Sequence, residues 1–163
     1  MKTILSNHNK SLLNKSSEVS VRNCNCRDVC PLPVNGDCRR AAVVYSATVK
    51  SDSTTKLYIG SSETDIKLRL ANHKHSFNTT SLRNSTRLSA YIHTLKDNNR
   101  PYEIKWNIAA KSNAYKCGSR KCNLCLTEKY LILRSDPANT LNARTELASK
   151  CRHSTKFKLK NLR

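Results

Sequence analysis

The pattern of apolar and polar residues in the first half of the chain predicts a β-hairpin. Residues 41–50 (AAVVYSATVK) are rich in β-branched side chains, which favour extended backbone. Residues 56–60 (KLYIG) form a second run of the same kind, and the turn-rich sequence SDSTT separates the two runs. We therefore predict two neighbouring antiparallel strands joined by a slightly long loop.

An amphipathic helix is predicted directly after the hairpin, over residues 63–77. At roughly 100° per residue, three apolar side chains of this segment point within about 40° of one another. They are Ile66, Leu70 and Phe77. Arg69 and His73 flank this apolar stripe and lie one helical turn apart, so two polar side chains stand beside a predicted buried face.

The remaining pattern predicts a second helix, a strand and a last helix. Residues 84–86 (NST) offer N-caps for a helix that continues to residue 96. Residues 101–108 alternate apolar and polar positions, as a half-buried strand does, and residues 123–134 form the last helix. The apolar sides of these elements contain Leu88, Ile92, Leu95, Tyr102, Ile104, Trp106, Ile108, Leu124, Leu131 and Ile132. The order of elements predicts an α+β fold with a small three-stranded, largely antiparallel sheet flanked by helices.

Glu128 lies on the apolar side of the last predicted helix. It falls roughly 40° from Leu124 at the helical period of about 100° per residue. A carboxylate that faces a core destabilises the fold by several kcal/mol unless it is paired or bound to a cation. Two explanations remain open: a salt bridge to one of the many basic residues, or a metal-binding role.

The charge of the chain indicates a polyanionic partner. The 163 residues include 30 Lys and Arg against 11 Asp and Glu, which gives a net charge of +19. Such a surface attracts polyanions, and nucleic acid is the predicted partner. Anionic membrane surfaces and acidic proteins remain alternatives. No apolar run approaches the roughly 18 to 20 residues that span a bilayer, and residues 1–22 lack the apolar core of a signal peptide. We expect an intracellular chain that does not cross a membrane.

Cysteine spacing predicts metal binding. Residues 122–125 (CNLC) are a C-x2-C pair, residues 24–38 contain four cysteines, and residues 151–153 (CRH) place a thiol beside an imidazole. Clustered cysteines in a chain without a signal segment usually bind metal, and structural zinc takes four such ligands. We predict structural Zn²⁺ in two sites built from Cys24, Cys26, Cys30, Cys38, Cys122, Cys125, Cys151 and His153.

The division of these ligands between the two sites is an assumption. The working assignment gives each site two ligands from residues 24–38 and two ligands from residues 122–153. The first site then contains Cys30, Cys38, Cys122 and Cys125. The second site contains Cys24, Cys26, Cys151 and His153, and Cys117 is left over. Disulfides and free buried thiols remain alternatives to metal.

Seven positions in a fixed order resemble the GIY-YIG nuclease family over about residues 41–146. They are Tyr45 in Val-Val-Tyr, Tyr58 and Gly60 in Tyr-Ile-Gly, Arg69, His73, Glu128, and Asn142 in Leu-Asn. The first motif reads VVY where the family has GIY. The segments NCNCRDVCPLPVNGDC, CNLCLTEKYLIL and SKCRH further resemble the endonuclease domain of Penelope-like retroelements. The resemblance divides the chain into a disordered arm (1–22), a zinc-binding segment (23–40), a nuclease core (41–146) and a basic tail with Cys and His (147–163).

The resemblance implies a divalent-metal-dependent DNA endonuclease that nicks target DNA for retroelement insertion. Glu128 is expected to anchor a catalytic Mg²⁺ or Mn²⁺, and Arg69 to hold the non-bridging phosphate oxygens. Tyr45 is the expected base, while Tyr58 and His73 position water or carry the proton. Gly60 is expected to let the backbone pass close to the substrate, and Asn142 to orient a site residue or phosphate. A reverse transcriptase domain or the element's RNA is a further expected partner, in the nucleus.

Two other functions stay open at this stage. One is a catalytically inactive, zinc-stabilised nucleic-acid-binding module derived from such a nuclease. The other is a secreted, disulfide-linked basic protein, which the C-x2-C spacing disfavours. Single residues also have plainer explanations: the tyrosines as ordinary strand aromatics, Arg69 and His73 as solvated helix residues, and Asn142 as the cap of a helix that starts at Ala143.

Overall fold

The structure is a computed structural model that describes residues 24, 26, 30–32, 37–116, 119, 121–151 and 153. The predicted arm (1–22), Cys117 and the tail beyond residue 153 lie outside the described residues. In the described part, three strands and three α-helices alternate with short 3-10 turns at Asp37–Arg39, Thr80–Leu82 and Arg144–Ala148. The elements are β1 (Val43–Ser51), β2 (Thr54–Ser62), α1 (Ile66–Asn78), α2 (Arg87–Asp97), β3 (Glu103–Lys111) and α3 (Asn123–Arg134). The predicted α+β fold and its element order are confirmed.

The three strands form one antiparallel sheet in the order β2-β1-β3. The predicted long loop of the hairpin is wrong, because Ser51 pairs with Thr54 and only Asp52 and Ser53 remain as a two-residue turn. Asp52 takes the left-handed conformation with φ 47°, which its short polar side chain tolerates. The extra residues therefore lengthen the strands instead of the loop.

Helices cover both faces of the sheet. Alternate side chains of β1, such as Val43 and Tyr45, pack against α1 and α2, and the predicted apolar stripes of those helices are buried there. The opposite face, with Val44 and Ile59, packs against Leu124 and Ile132 of α3. Each fully buried Leu or Ile contributes about 1.5 to 3 kcal/mol. Within the described ranges, no helix has both the length and the apolar composition needed to cross a bilayer.

The outer edge of β2 is covered by residues 139–142. The Leu57 N–H donates to Asn139 O at 2.8 Å, and the Leu141 N–H donates to Leu57 O at 2.7 Å. The Asn142 side chain then pairs with Ile59: its Oδ1 accepts from the Ile59 N–H at 2.8 Å, and its Nδ2 donates to Ile59 O at 2.8 Å. A side-chain amide thus continues the ladder of backbone hydrogen bonds.

Replacing Asn142 is expected to destabilise the protein strongly. In Asn142→Ala, the buried N–H and C=O of Ile59 lose their partners, which costs about 2 to 4 kcal/mol. The matched control is Asn139→Ala, which removes only an exposed bond to Asp136 and keeps the backbone bond to Leu57, so we expect a loss of about 0.5 kcal/mol or less. Urea unfolding of both variants measures the difference, and equal losses would contradict the role of the Asn142 amide.

Candidate functional site

A chain of hydrogen bonds joins three of the predicted site residues. Arg69 Nε donates to Tyr45 Oη at 3.1 Å, and Tyr45 Oη lies 2.6 Å from His73 Nε2. The tyrosine oxygen accepts from Arg69, and the hydroxyl can donate its own proton to a neutral His73 whose Nε2 carries no hydrogen; the His73 tautomer sets the direction of this bond. The one-turn spacing of Arg69 and His73 on α1 therefore brings both side chains to the same hydroxyl group.

Gly60 makes room for Tyr45. The two residues are paired across β1 and β2, and a Cβ at position 60 would lie 2.5 Å from Tyr45 Oη and 2.7 Å from Tyr45 Cζ. The expectation that Gly60 lets substrate approach the backbone is therefore wrong, since the tyrosine ring fills that space. Trp106 packs beside Tyr45 and His73, with ring centroids 6.0 and 5.5 Å away.

An open cleft of about 980 Å³ lies in front of this cluster. Four of the predicted catalytic residues line it, namely Tyr58, Arg69, His73 and Glu128. Tyr45 is fully buried and is not among the lining residues, so it stands behind Arg69 and His73 instead of facing the cleft beside Tyr58. The cleft wall also carries His75, Arg87, Lys129, Lys150 and Glu146.

Glu128 faces the cleft from α3 and is half-buried. Ser61 Oγ donates to Glu128 Oε2 at 2.9 Å. Ser61 is the second-last residue of β2, and its side chain lies on the face of the sheet opposite Tyr58. Side chains from both faces of the sheet therefore meet at the open end of this edge strand. A carboxylate in an open, hydrated cleft is a suitable ligand for Mg²⁺, which uses one or two carboxylates and keeps several waters.

Asn142 does not point its amide at a catalytic side chain. Both ends of the amide are bound to Ile59, and Nδ2 also donates to Glu146 Oε2 at 2.9 Å. Glu146 in turn accepts the Ala143 N–H, so a 3-10 turn follows Asn142 in place of the α-helix considered above. Asn142 thus holds Ile59, the strand residue that follows Tyr58.

Burial sets the protonation states of two cleft residues, His73 and Tyr58. Burial lowers the pKa of His73 to about 4, and the adjacent Arg69 charge acts in the same direction, so the imidazole is neutral at physiological pH. Burial raises the pKa of Tyr58, and repulsion from a charged Tyr45 adds to this effect. Tyr58 is therefore a phenol, and not a phenolate, in this state of the protein.

Two separate clusters bring the predicted metal ligands together, and the working assignment of the ligands is wrong. The N-terminal cysteine cluster consists of Cys24, Cys26, Cys30 and Cys38. The C-terminal cysteine cluster consists of Cys122, Cys125, Cys151 and His153. In each cluster the four ligand atoms lie within 4.8 Å of one another. The mixed assignment fails because each cluster packs against a different core, one on each face of the sheet.

The distances within both clusters suit a tetrahedral metal such as zinc. Bonds of about 2.3 Å to sulfur and 2.0 Å to nitrogen place two sulfurs about 3.8 Å apart, and a sulfur and a nitrogen about 3.5 Å apart. The Sγ atoms of Cys125 and Cys151 are 3.5 Å apart, and those of Cys26 and Cys38 are 3.9 Å apart. His153 Nδ1 lies 3.2 to 3.7 Å from its three thiols. Both clusters can therefore hold a metal.

The thiol environment also favours a bound cation. Burial raises the pKa of Cys38 and of Cys125, and neighbouring thiols add to both shifts. Cys38 and Cys125 would become thiolates when a bound positive ion offsets their burial and the repulsion from neighbouring thiolates. The cysteines of the described residues carry free thiols, so no disulfide competes with such an ion there.

No family model, curated protein or solved structure matches the chain in comparisons with known proteins. The resemblance to GIY-YIG nucleases therefore depends on the motif residues and on how the fold arranges them.

Sequence reasoning missed two residues of the cleft, Ser61 and Glu146. Ser61 follows Gly60 directly and alternates to the α3 side of the sheet, where it reaches Glu128. Glu146 lies four residues after Asn142 and binds it. Both could be recognised only by their distance from a motif residue, since a lone serine or glutamate in a chain of this composition carries no signal.

The low pKa of His73 predicts an acid-dependent loss of stability. The folded pKa of about 4 lies below the ordinary value of 6.5, so the unfolded state binds the proton more readily. The stabilisation is complete above about pH 6.5 and falls as the pH drops towards 4, by about 2 kcal/mol between pH 7 and 5. Urea unfolding at both values should show this fall in the wild type and in the exposed control His75→Gln, but not in His73→Gln. An equal fall in all three proteins would contradict the assignment.

The two clusters predict a specific pattern of metal loss. Elemental analysis of metal-washed protein should find about two ions per chain. The double variant Cys24→Ser/Cys30→Ser should lose one ion, because both residues belong to the N-terminal cysteine cluster. The double variant Cys30→Ser/Cys122→Ser should lose both. The mixed assignment predicts the reverse, with two ions lost by Cys24→Ser/Cys30→Ser and one ion lost by Cys30→Ser/Cys122→Ser. A wild type without metal would contradict both assignments.

Proposed function

We propose that this protein is a divalent-metal-dependent DNA endonuclease of the GIY-YIG type, stabilised by two structural zinc ions. The main support is that one cleft brings the Glu128 carboxylate together with Arg69, Tyr58 and His73, although these residues are up to 70 positions apart (128 − 58 = 70). The retroelement origin, target nicking and a nuclear location follow from the sequence resemblance alone.

The charge of the cleft suits a phosphodiester substrate. Its wall carries Arg69, Arg87, Lys129 and Lys150 beside the carboxylates Glu128 and Glu146. The cations attract the DNA backbone, and the carboxylates attract the divalent ion that a phosphodiester needs for cleavage. Arg69 presents a planar guanidinium, which can bind two phosphate oxygens at once.

Glu128 holds the divalent ion in this proposal, and the ion, when bound, supplies Lewis-acid stabilisation of the phosphoryl and leaving oxygens. Ser61 would orient this carboxylate by donating its hydroxyl to Oε2 at 2.9 Å. Mg²⁺ and Mn²⁺ both accept a mainly hydrated site of this kind.

The Arg69–Tyr45–His73 chain provides the base. An ordinary phenol, with a pKa of about 10, is a weak base precursor at neutral pH. To act as the base, Tyr45 would lose its proton to solvent, and its oxygen would then be stabilised by Arg69 Nε and by a neutral His73 that carries its ring proton on Nε2. Because Tyr45 is fully buried, the attacking water would have to enter beside Arg69 to reach Tyr45 Oη. Tyr58, which lines the cleft as a phenol, orients that water.

Plasmid nicking tests the proposal directly. Purified wild type in Mg²⁺ should convert supercoiled plasmid to the open circle, and EDTA should stop the reaction. Glu128→Gln keeps the shape of the side chain and removes its charge, so nicking should fall by about 100-fold or more. Glu103→Gln is the matched control, because Glu103 is exposed on β3 and lies outside the cleft.

A gel shift with the same proteins separates cleavage from binding. Glu128→Gln should bind DNA at least as tightly as the wild type, since it removes a negative charge from the cleft. A wild type that binds DNA but nicks it with neither Mg²⁺ nor Mn²⁺ would refute the nuclease and leave the inactive binding module. Equal nicking by Glu128→Gln and the wild type would refute the role of Glu128.

A further inference from the structure

The C-terminal cysteine cluster is part of the same cleft as the candidate catalytic residues. Cys125, Cys151 and His153 line the cleft together with Glu128. None of the four ligands of the N-terminal cysteine cluster lines it. The two clusters therefore differ in position relative to the cleft, although their ligand geometry is alike.

Helix α3 starts inside this cluster. Cys122 is the N-cap residue of α3, and it makes no side-chain capping hydrogen bond. By contrast, Thr86 caps α2 by accepting from the Ser89 N–H. Cys125 lies in the first turn of α3, and Glu128 lies one turn further, about 4.5 Å along the axis. A metal bound by Cys122 and Cys125 would therefore fix the start of α3 in place of a side-chain cap, one turn before the Glu128 carboxylate.

The imidazole of the cluster reaches the end of β2. His153 Nε2 lies 3.6 Å from Glu63 Oε2, while its Nδ1 faces the three thiols. At 3.6 Å this contact is longer than a hydrogen bond, but a metal bound at Nδ1 would leave the ring proton on Nε2, and donation of that proton to Glu63 would fix the ring and strengthen the ligand. Glu63 directly follows the last residue of β2 and lies two positions after Ser61.

These contacts form a closed ring of interactions that includes Glu128. The ring runs from Ser61 to Glu128 by a hydrogen bond, along α3 to Cys125, through the cluster to His153, and back to β2 through Glu63. Lys129 adds a link, since its Nζ donates to Ser149 O just before Cys151. A metal closes this ring, because without one the thiols and the imidazole have only weak interactions with one another.

We infer that a metal held by the C-terminal cysteine cluster positions Glu128 in the cleft, in addition to stabilising the fold. Its effect on cleavage rests on the proposed function, whereas its effect on α3 does not. Cys122, Cys125, Cys151, His153 and Glu63 act through the backbone of α3 and β2 as positioning residues. The N-terminal cysteine cluster packs on the α1 and α2 side of the sheet and leaves α3 unaffected.

Amide hydrogen exchange on the whole chain tests the inference without any assay of activity. Cys151→Ser/His153→Ala leaves two ligands and should lose the metal of this cluster. Amides of α3 should then exchange about tenfold faster, while those of β1 and β3 keep their protection. The single variant His153→Cys keeps four ligands and should keep both the metal and slow exchange. The matched control Cys24→Ser/Cys30→Ser should lose the other metal and keep slow exchange in α3.

Unchanged exchange of α3 after loss of this metal would overturn the inference. So would equal acceleration in the N-terminal control, or a wild type that binds no metal at this cluster. If Cys151→Ser/His153→Ala unfolds as a whole, Glu63→Gln decides the question, since it keeps all four ligands. We expect exchange in the first turns of α3 to rise about threefold in Glu63→Gln. Exchange equal to that of the wild type would overturn the inference.

Nicking assays on the same proteins add a second readout. Cys151→Ser/His153→Ala should nick about 10- to 100-fold more slowly than the wild type at saturating DNA. The single variant His153→Cys should keep most of the wild-type rate. DNA affinity should change by no more than about twofold, because the cations of the cleft remain. If the wild type does not nick DNA, the proposed function fails, and the exchange of α3 still decides the positioning role.

Discussion

The buried hydroxyl of Tyr45 is the constraint on which the rest of the site depends. A hydroxyl group without water must find partners within the protein, and α1 supplies two of them, Arg69 and His73. This requirement sets the rotation of α1 over the sheet. It also requires a glycine at position 60, because any Cβ there would collide with the ring. One hydroxyl thus links the register of the hairpin to the orientation of a helix and to the composition of the cleft wall.

The position of the cleft follows from how the edge of β2 is covered. Residues 139–142 cover the edge along Leu57 to Ile59, and Asn142 ends that cover. Beyond this point, side chains of both faces reach the same opening: Arg69 and His73 from one layer of helices, and Glu128 from the other. An exposed strand edge is usually a liability for association with other chains. Here its uncovered end is lined by the polar side chains of Arg69, His73 and Glu128.

Local patterns in the sequence predicted most of the fold. The last helix was predicted with the bounds that the structure gives, Asn123–Arg134, because its apolar period and its cysteine pair are local features. The interactions between distant segments could not be predicted in this way. A helical wheel places His73 beside an apolar stripe, but its depth depends on Trp106 and Tyr45, which come from two strands. The ligand sets of the two clusters depend on which face of the sheet each segment covers, and spacing carries no information about that.

The ring of interactions that includes Glu128 also has a consequence for the time during synthesis at which the C-terminal cysteine cluster can be completed. The N-terminal cysteine cluster uses residues 24 to 38 and can close as soon as that short segment has left the ribosome. The C-terminal cysteine cluster needs His153, which follows Glu128 by 25 residues (153 − 128 = 25). The sheet and both of its helical layers are therefore already translated before the last ligand emerges. A nascent chain can thus hold a folded sheet before the C-terminal cysteine cluster beside Glu128 is complete.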